Sequence, residues 1–306
     1  TGPYVDAILN CWGAGCGPSH PSNLRTGLCA APGESVGDYV AYQPWLASPV
    51  RMDPVAGFRD FLENVLLVDG DDNEVAVSEL IQPLLDIAIA NDQVRVINDG
   101  TVYDEALVAR ARGFSILGDW DGDGRLALLL PAVQAAREAA LHILPNDLGG
   151  AGGLDVSGFI FDRWGYDPGA VDPPHQVIIG ASDVRFTGNV VRSFGPPFVP
   201  GGPSGVGVEL WLDIDKVTIA GNRFEAAEGF TGVWAGNPAG RTAPQRQILI
   251  AGNTFECTDM APLTTPEPPA CGGVGVRLQG VVDAEVSENT FDRLGTAILI
   301  NGMEGT

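Results

Sequence analysis

Between Val206 and Asn301 apolar and polar residues alternate in short runs, each closed by a turn. Three runs share one frame: Gly205-Val206-Gly207-Val208-Glu209-Leu210, Gly273-Val274-Gly275-Val276-Arg277-Leu278 and Gly295-Thr296-Ala297-Ile298-Leu299-Ile300. A second motif falls between them: Gly221-Asn222-Arg223-Phe224, Gly252-Asn253-Thr254-Phe255 and Glu288-Asn289-Thr290-Phe291, with a looser copy at Gly188-Asn189-Val190-Val191. Period-two alternation rich in β-branched residues predicts strands. A motif that returns in fixed order every few tens of residues predicts a solenoid. The varying distance between successive asparagines predicts that one loop per coil changes length. Asn tolerates the left-handed backbone of a tight turn, so the turn is expected at Asn itself, with its side chain bonding from coil to coil. The Phe that follows is expected to point inward and stack. A β-sandwich with ordinarily spaced turns is the alternative.

These runs resemble the right-handed parallel β-helix repeats of pectate-lyase-like proteins of the bacterial secreted type, over most of the chain. The resemblance implies an all-β, right-handed parallel β-helix with a short helical capping or linker segment. Residues 1–50 carry a second likeness. Asn10-Cys11-Trp12-Gly13, then Gly17-Pro18, Gly37-Asp38-Tyr39-Val40 and Pro44-Trp45-Leu46 are similar to the closing coil of such proteins, in which a cysteine pair brackets a loop as Cys16 and Cys29 do here. The implied organisation is a closing coil at 1–50, a helical linker and N-terminal cap at 51–92, and the β-helix at 93–306.

Along the chain, Val55 to Leu67 can hold a short helix. Ser78 can cap a helix running to about Ala90, with Leu80, Ile81, Leu84, Leu85, Ala88 and Ile89 as its apolar stripe. Such a cap would cover the unpaired edges of the first coil. Residues 93–105 look like the opening of a β-helix, and Phe114 to Gly118 like the next strand of that coil. Leu126 to Leu144 favours helix by propensity, yet Pro131 lies inside it and strands flank it, so helix and irregular coil both stay open. Pro-Gly segments at 196–204 and 236–244 read as protruding loops.

Composition narrows the class. The chain has 306 residues, 45% hydrophobic, with 41 glycines and 23 prolines, which suits a turn-rich β protein with a large core. Its net charge is −22, and Lys216 is the only lysine among 17 basic residues. So acidic a surface disfavours nucleic acid and anionic membrane and favours cation binding. No apolar run is long enough to span a bilayer, and neither a signal peptide nor an initiator Met is readable, which predicts a processed or excerpted chain. Cys16 and Cys29 bracket one loop and Cys257 and Cys271 another; without zinc-ligand spacing, both pairs predict disulfides in an exported, extracellular or surface protein, leaving Cys11 over.

Two acidic turns are calcium candidates. Asp69, Asp71 and Asp72 precede Glu79 in a worn EF-hand-like order that lacks two ligands, and Asp119, Asp121 and Asp123 alternate along a second turn. A solvated acidic turn explains each equally well. The resemblance implies that chemistry, if present, lies on an outward face. On Glu209 to Asp215, Leu210, Leu212 and Ile214 should face inward and Glu209, Trp211, Asp213 and Asp215 outward, with Arg277 in the place of Glu209 in a later copy. Trp211 could stack on a sugar or pack beneath the loop at 196–204. His20, His142 and His175 lack a partner pattern, and neither a paired-aspartate hydrolase motif, a lyase basic signature, a phosphate loop nor a nucleophile elbow is present.

A β-helix must be capped at both ends. No cap is readable after Asn301, whereas residues 1–50 offer a spare closing coil. The expectation is an extracellular structural protein, one repeat of a head-to-tail fibre or surface stalk, in which residues 1–50 meet the coil ending near Asn301 of a neighbouring subunit or repeat. A fragment that has lost its cap is the rival. The alternative function is a secreted polysaccharide lyase, hydrolase or glycan binder. Calcium is the possible cofactor, and extracellular polysaccharide the possible further partner.

Overall fold

The computed structural model describes residues 5–6, 11–12, 15–29, 33–38, 40–47, 65–97, 102–103, 105–119, 123–129, 139–147, 152–162, 175–192, 205–211, 213–226, 230–236, 245–258 and 271–301. Each coil contributes three strands, and like strands stack in parallel into three sheets, here called the first, second and third faces. Coils 1 to 3 comprise Gln93–Val96, Val102–Tyr103 and Leu107–Arg110; Phe114–Leu117, Ala127–Leu129 and Leu141–Leu144; and Leu154–Ser157, Phe159–Asp162 and His175–Ile179. Coils 4 and 5 comprise Val184–Thr187, Val190–Arg192 and Val206–Leu210; and Asp215–Ala220, Arg223–Ala226 and Thr231–Gly236. Coil 6 has Arg246–Ala251, Thr254–Cys257 and Cys271–Gln279, and coil 7 Val282–Ser287, Thr290–Asp292 and Leu294–Asn301. This is an all-β parallel β-helix.

The corner between the first and second faces organises the stack. Asn189, Asn222 and Asn253 are buried there. The Asn222 side-chain oxygen accepts from the Asn189 backbone N–H at 2.9 Å and from its side-chain NH₂ at 3.2 Å. Asn253 accepts likewise from Asn222 at 2.9 and 3.0 Å, and Asn289 from Asn253 at 2.9 and 2.9 Å. Each amide also donates to a carbonyl of the coil before, from Asn222 to Phe186, Asn253 to Ile219 and Asn289 to Ile250, at 2.8 Å in all three cases. The side chains thus bond from coil to coil as the sequence predicts. The left-handed residue, however, is the one before: Gly188, Gly221 and Gly252 have φ of 63 to 64°, and Glu288 has 56°. Glycine takes the strained conformation, which leaves Asn extended with its amide aimed along the axis.

The Phe column follows from the same corner. Phe224 stacks on Phe255 at 4.7 Å and Phe255 on Phe291 at 5.1 Å, with ring planes within 9°. Val191 pairs in register with Phe224 and takes the inward place one coil earlier. Across the core lie Gly207, Gly232 and Gly275. A Cβ on Gly232 would stand 2.5 Å from the Phe255 ring and 2.6 Å from the Gly275 carbonyl oxygen. The glycine at this place in coils 4, 5 and 6 therefore makes room for the next coil's aromatic ring.

The connection from the second to the third face varies most: one residue, Arg293, in coil 7, but 163–174 in coil 3 and 258–270 in coil 6. In the run at 126–144, Ala127–Leu129 and Leu141–Leu144 are strands that pair in register with neighbouring coils, and 130–138 lie outside the described residues. Inward Ala and Leu fill a β-helix core as well as a helix stripe, so tertiary packing overrides propensity here. Phe114–Leu117 pairs with Gln93–Val96, so it opens the next coil rather than continuing the first.

The N-terminal cap is mostly strand. Val65–Val68 pairs antiparallel with Gln93–Val96 on one side and Glu74–Ser78 on the other. Strand thus stands where a helix to Leu67 is expected and where the first acidic turn is placed before a helix; 55–64 lie outside the described residues. The expected helix shortens to Gln82–Ile87, burying Leu84, Leu85 and Ile87. Ser78 does not cap it but accepts from the Leu80 N–H in the preceding turn. The cap is Glu105, whose carboxylate accepts from the Ile81 and Gln82 N–H groups at 2.8 and 3.0 Å. Burial pushes the Glu105 carboxyl above its ordinary value against the pull of those two donors. The Gln82 amide accepts from Val108 N–H and donates to Val108 C=O, standing in for a strand at the edge of the third face.

Two substitutions test the corner. Asn253→Ala leaves the Asn222 donors and the Ile219 carbonyl without their partner and should lower stability by at least about 2 kcal/mol. Glu288→Gly relieves a left-handed backbone and should raise it by about 1 kcal/mol. Urea unfolding measures both; an Asn253→Ala protein as stable as the parent would remove the amide ladder as a source of stability.

Candidate functional site

Three regions answer to the sequence candidates: the outward third face, the acidic turns, and the two ends of the stack. On the third face the register aligns His142, Ile178, Glu209, Trp234 and Arg277 in one outward row. Arg277 therefore stands two coils from Glu209 with Trp234 between, its guanidinium carbon 5.4 Å from the Trp234 ring centroid. His175 Nδ1 lies 3.1 Å from a Glu209 carboxylate oxygen, both side chains being largely buried. Trp211 packs over Gly180 and meets His142 edge to face at 4.6 Å, and remains 38% exposed.

Leu210 and Ile214 are buried, as the alternation predicts, while Leu212 lies outside the described residues. Asp213 is exposed in a left-handed turn, and Asp215 opens the first-face strand of coil 5. The structure thus gathers Glu209, Trp211 and Arg277 on one face and sets Asp213 and Asp215 around the corner. His142, His175 and Trp234 join the first group. Their partners lie one or two coils away in sequence, and the signal that finds them is the coil register.

The first acidic turn is the tip of the cap hairpin. One Asp69 carboxylate oxygen accepts from the Asp71 and Asn73 N–H groups and from the Asn73 amide, at 3.0, 2.9 and 3.1 Å. Burial pushes the Asp69 carboxyl up, but these donors outweigh it and hold the group below its ordinary value. Asp72 pairs with Arg95, and Asp71 is exposed. Glu79 follows the far end of the five-residue strand Glu74–Ser78, about 16 Å along the chain at ordinary strand rise. In the second turn Asp119 accepts from the Gly124 N–H and Asp123 from the Arg125 N–H, while Asp121 lies outside the described residues. Among the described residues no group of three or more His, Cys, Asp or Glu is arranged to hold a metal.

At the N-terminal end, Trp45–Leu46 adds in parallel to Glu74–Ser78, with Trp45 fully buried. The Trp45 indole donates to the Gly15 carbonyl at 2.9 Å, and its ring lies where a Gly17 Cβ would stand. Cys16 and Cys29 form a disulfide with their Cα atoms 6.0 Å apart. The loop they close presents Arg25, whose guanidinium donates to both Asp92 oxygens at 2.7 and 2.6 Å in a buried pair. Asp92 also accepts from the Ile89 N–H. This clamp fixes the disulfide loop to the cap. Cys257 is disulfide-bonded, the side chain of its expected partner Cys271 lies outside the described residues, and Cys11 is a free exposed thiol.

The other end is open. Val282–Ser287, Thr290–Asp292 and Leu294–Asn301 are the outermost strands of the three faces. Ile298 and Ile300 are 40 and 55% exposed, although their counterparts in the coil before, Val276 and Leu278, belong to the core.

No family model matches the chain, and no curated protein matches it. Among solved structures it is similar to the Streptococcus pneumoniae surface protein and adhesin PfbA, at 12% identity and a TM-score of 0.38, over 67% of this chain and 66% of that one. The chain thus spans about two thirds of the length of that adhesin. The class rests on the strand register: a disulfide-bearing parallel β-helix.

The clamp generates a pH-dependent prediction. Burial raises the Asp92 carboxyl above its ordinary value near 3.8, with the Ile89 N–H and Arg25 pulling the other way. A raised folded value means that ionisation costs stability as pH rises through it, a cost absent below the ordinary value. Arg25→Met removes the countercharge, so the loss should be about 3–5 kcal/mol at neutral pH and shrink toward acid as Asp92 takes up a proton. Urea unfolding of both proteins from acid to neutral pH reads this directly; a loss independent of pH would contradict the assignment.

Proposed function

We propose that the chain is a structural module of an extracellular or cell-surface protein, a stiff β-helical rod. The observation that carries this reading is the unbroken amide column from Asn189 to Asn289, which bonds coils 4 to 7 to one another through side chains as well as through the sheets. Support comes from the second face, where Arg223 pairs with Glu225 and Glu256, and Arg293 with Glu256 and Asp292, lacing successive coils. The Cys16–Cys29 disulfide fits an oxidising compartment. The net charge of −22 fits a surface kept soluble by repulsion.

A second reading, glycan binding by the third face, is favoured by one observation: Trp211 is held in place by Gly180 and His142 and yet is half open to solvent. Aromatic rings so placed stack on sugar faces, and Arg277 and Glu209 on the neighbouring row supply polar partners.

At the usual strand spacing the ten-stranded first face is about 43 Å long. Small-angle scattering should give an elongated particle of at least that length, and antibody labelling should find the protein outside intact cells. A cytoplasmic protein with Cys16 and Cys29 reduced would overturn the reading. Tryptophan fluorescence titrated with neutral and uronate oligosaccharides separates the alternative: saturable quenching lost in Trp211→Ala would favour the glycan face, and a flat titration would remove it.

A further inference from the structure

The open end of coil 7 is built to be continued. Every earlier ladder asparagine donates its backbone N–H to the side-chain oxygen of the next coil's asparagine. Among the described residues the Asn289 N–H has no such acceptor, and the strands of coil 7 have no neighbour on their outer edges. Ile298 and Ile300, in register with the core residues Val276 and Leu278, face the same way into solvent. An uncovered edge of parallel strands over exposed apolar side chains invites strand addition.

The opposite end of the molecule presents matching geometry. Val5–Asp6 pairs in parallel with Val40–Ala41, and Ser19 bridges Ser35 in parallel, so this segment is wound as the coils are. Among the described residues the other edge of Val5–Asp6 is unpaired. Strand direction is also preserved across the cap. Trp45–Leu46 is parallel to Glu74–Ser78, which is antiparallel to Val65–Val68, which is antiparallel to Gln93–Val96. Two reversals cancel, so Trp45–Leu46 runs the same way as the coils it precedes. A translated copy would therefore bring the strand Trp45–Leu46 to coil 7 in the same direction as the strands there. A tail-to-tail pair related by a two-fold axis would bring them antiparallel.

We propose that the open face of coil 7 docks the N-terminal segment of a second copy of this chain, whose strands add in parallel to those of coil 7 and cover Ile298 and Ile300. This proposal rests on the reading of the chain as a rod module and names the partner of its open end. Docking of one end on the opposite end of the next copy is heterologous and does not close, so it generates a filament.

The test uses two blocked variants of the full chain. Ile298→Lys with Ile300→Lys places charges on the tail, and Val5→Pro with Asp6→Pro removes the N–H groups of the head strand. Circular dichroism and a thermal melt matching the parent verify that each still folds. In sedimentation velocity the parent should associate progressively with concentration and form unbranched chains by electron microscopy. Each variant alone should lose association, and an equimolar mixture should form dimers and nothing larger. Dimers of the head-blocked variant alone would mean tail-to-tail pairing and overturn the proposal. A parent that stays monomeric at every concentration would also overturn it and leave coil 7 to a different partner or to further chain. In that last case an elongated particle by scattering keeps the rod reading, whereas a compact one removes both.

Discussion

The column of asparagine amides is the constraint on which the rest of the molecule depends. A buried amide has several hydrogen-bonding sites and must fill them or destabilise the fold. Here one oxygen takes two donors from the coil before, and one NH₂ group reaches both a neighbouring side chain and a carbonyl. That pattern closes only if every coil turns its corner at the same height. The left-handed glycine before each asparagine, the aromatic column after it and the glycines opposite the rings are then fixed relative to one another. A Cβ on Gly275, for instance, would stand 2.5 Å from the Phe291 ring. Register in this solenoid is thus enforced by side chains, where sheets alone would permit slippage.

The two ends solve one problem in different ways. At the N-terminal end the first face continues into a hairpin, a short helix lies under the third face, and the Gln82 amide mimics a strand. Glu105 reaches from coil 1 to hold the start of that helix, so cap and first coil stabilise each other. Beyond them the disulfide loop is pinned by one buried ion pair, a strong bond so long as both charges are present. At coil 7 no such device is seen among the described residues. The closing layer there, whatever supplies it, must be strand-like and apolar on its inner side.

Much of this was legible in the residues. Gly-Asn-x-Phe marks the corner, and the Val-x-Val and Leu-x-Ile alternations place Leu210 and Ile214 in the core. The paired cysteines around 17–28 name a closed loop. What escaped reading has physical causes. The Ala/Leu run at 126–144 carries helix propensity, but at its two ends, 127–129 and 141–144, pairing with neighbouring coils decides the conformation. Neither the Glu105 cap nor the contact of His175 with Glu209 has a local signature, since each joins residues brought together by the winding of the coil. The left-handed position was missed by one residue, because glycine's freedom competes with that of asparagine and wins.

The uneven connections between the second and third faces bear on how such a chain changes over generations. The corner at the asparagines admits no insertion, since an added residue would break an amide chain shared by three neighbours. The opposite corner already spans from one residue at Arg293 to the stretch at 258–270. Insertions, duplications and drift should therefore accumulate most along this edge, and to a lesser degree between the third and first faces, where the connection lengthens to 237–245, while the asparagine corner of coils 4 to 7 stays nearly frozen. Lineages can then differ in what that edge displays while sharing the same backbone axis beneath it.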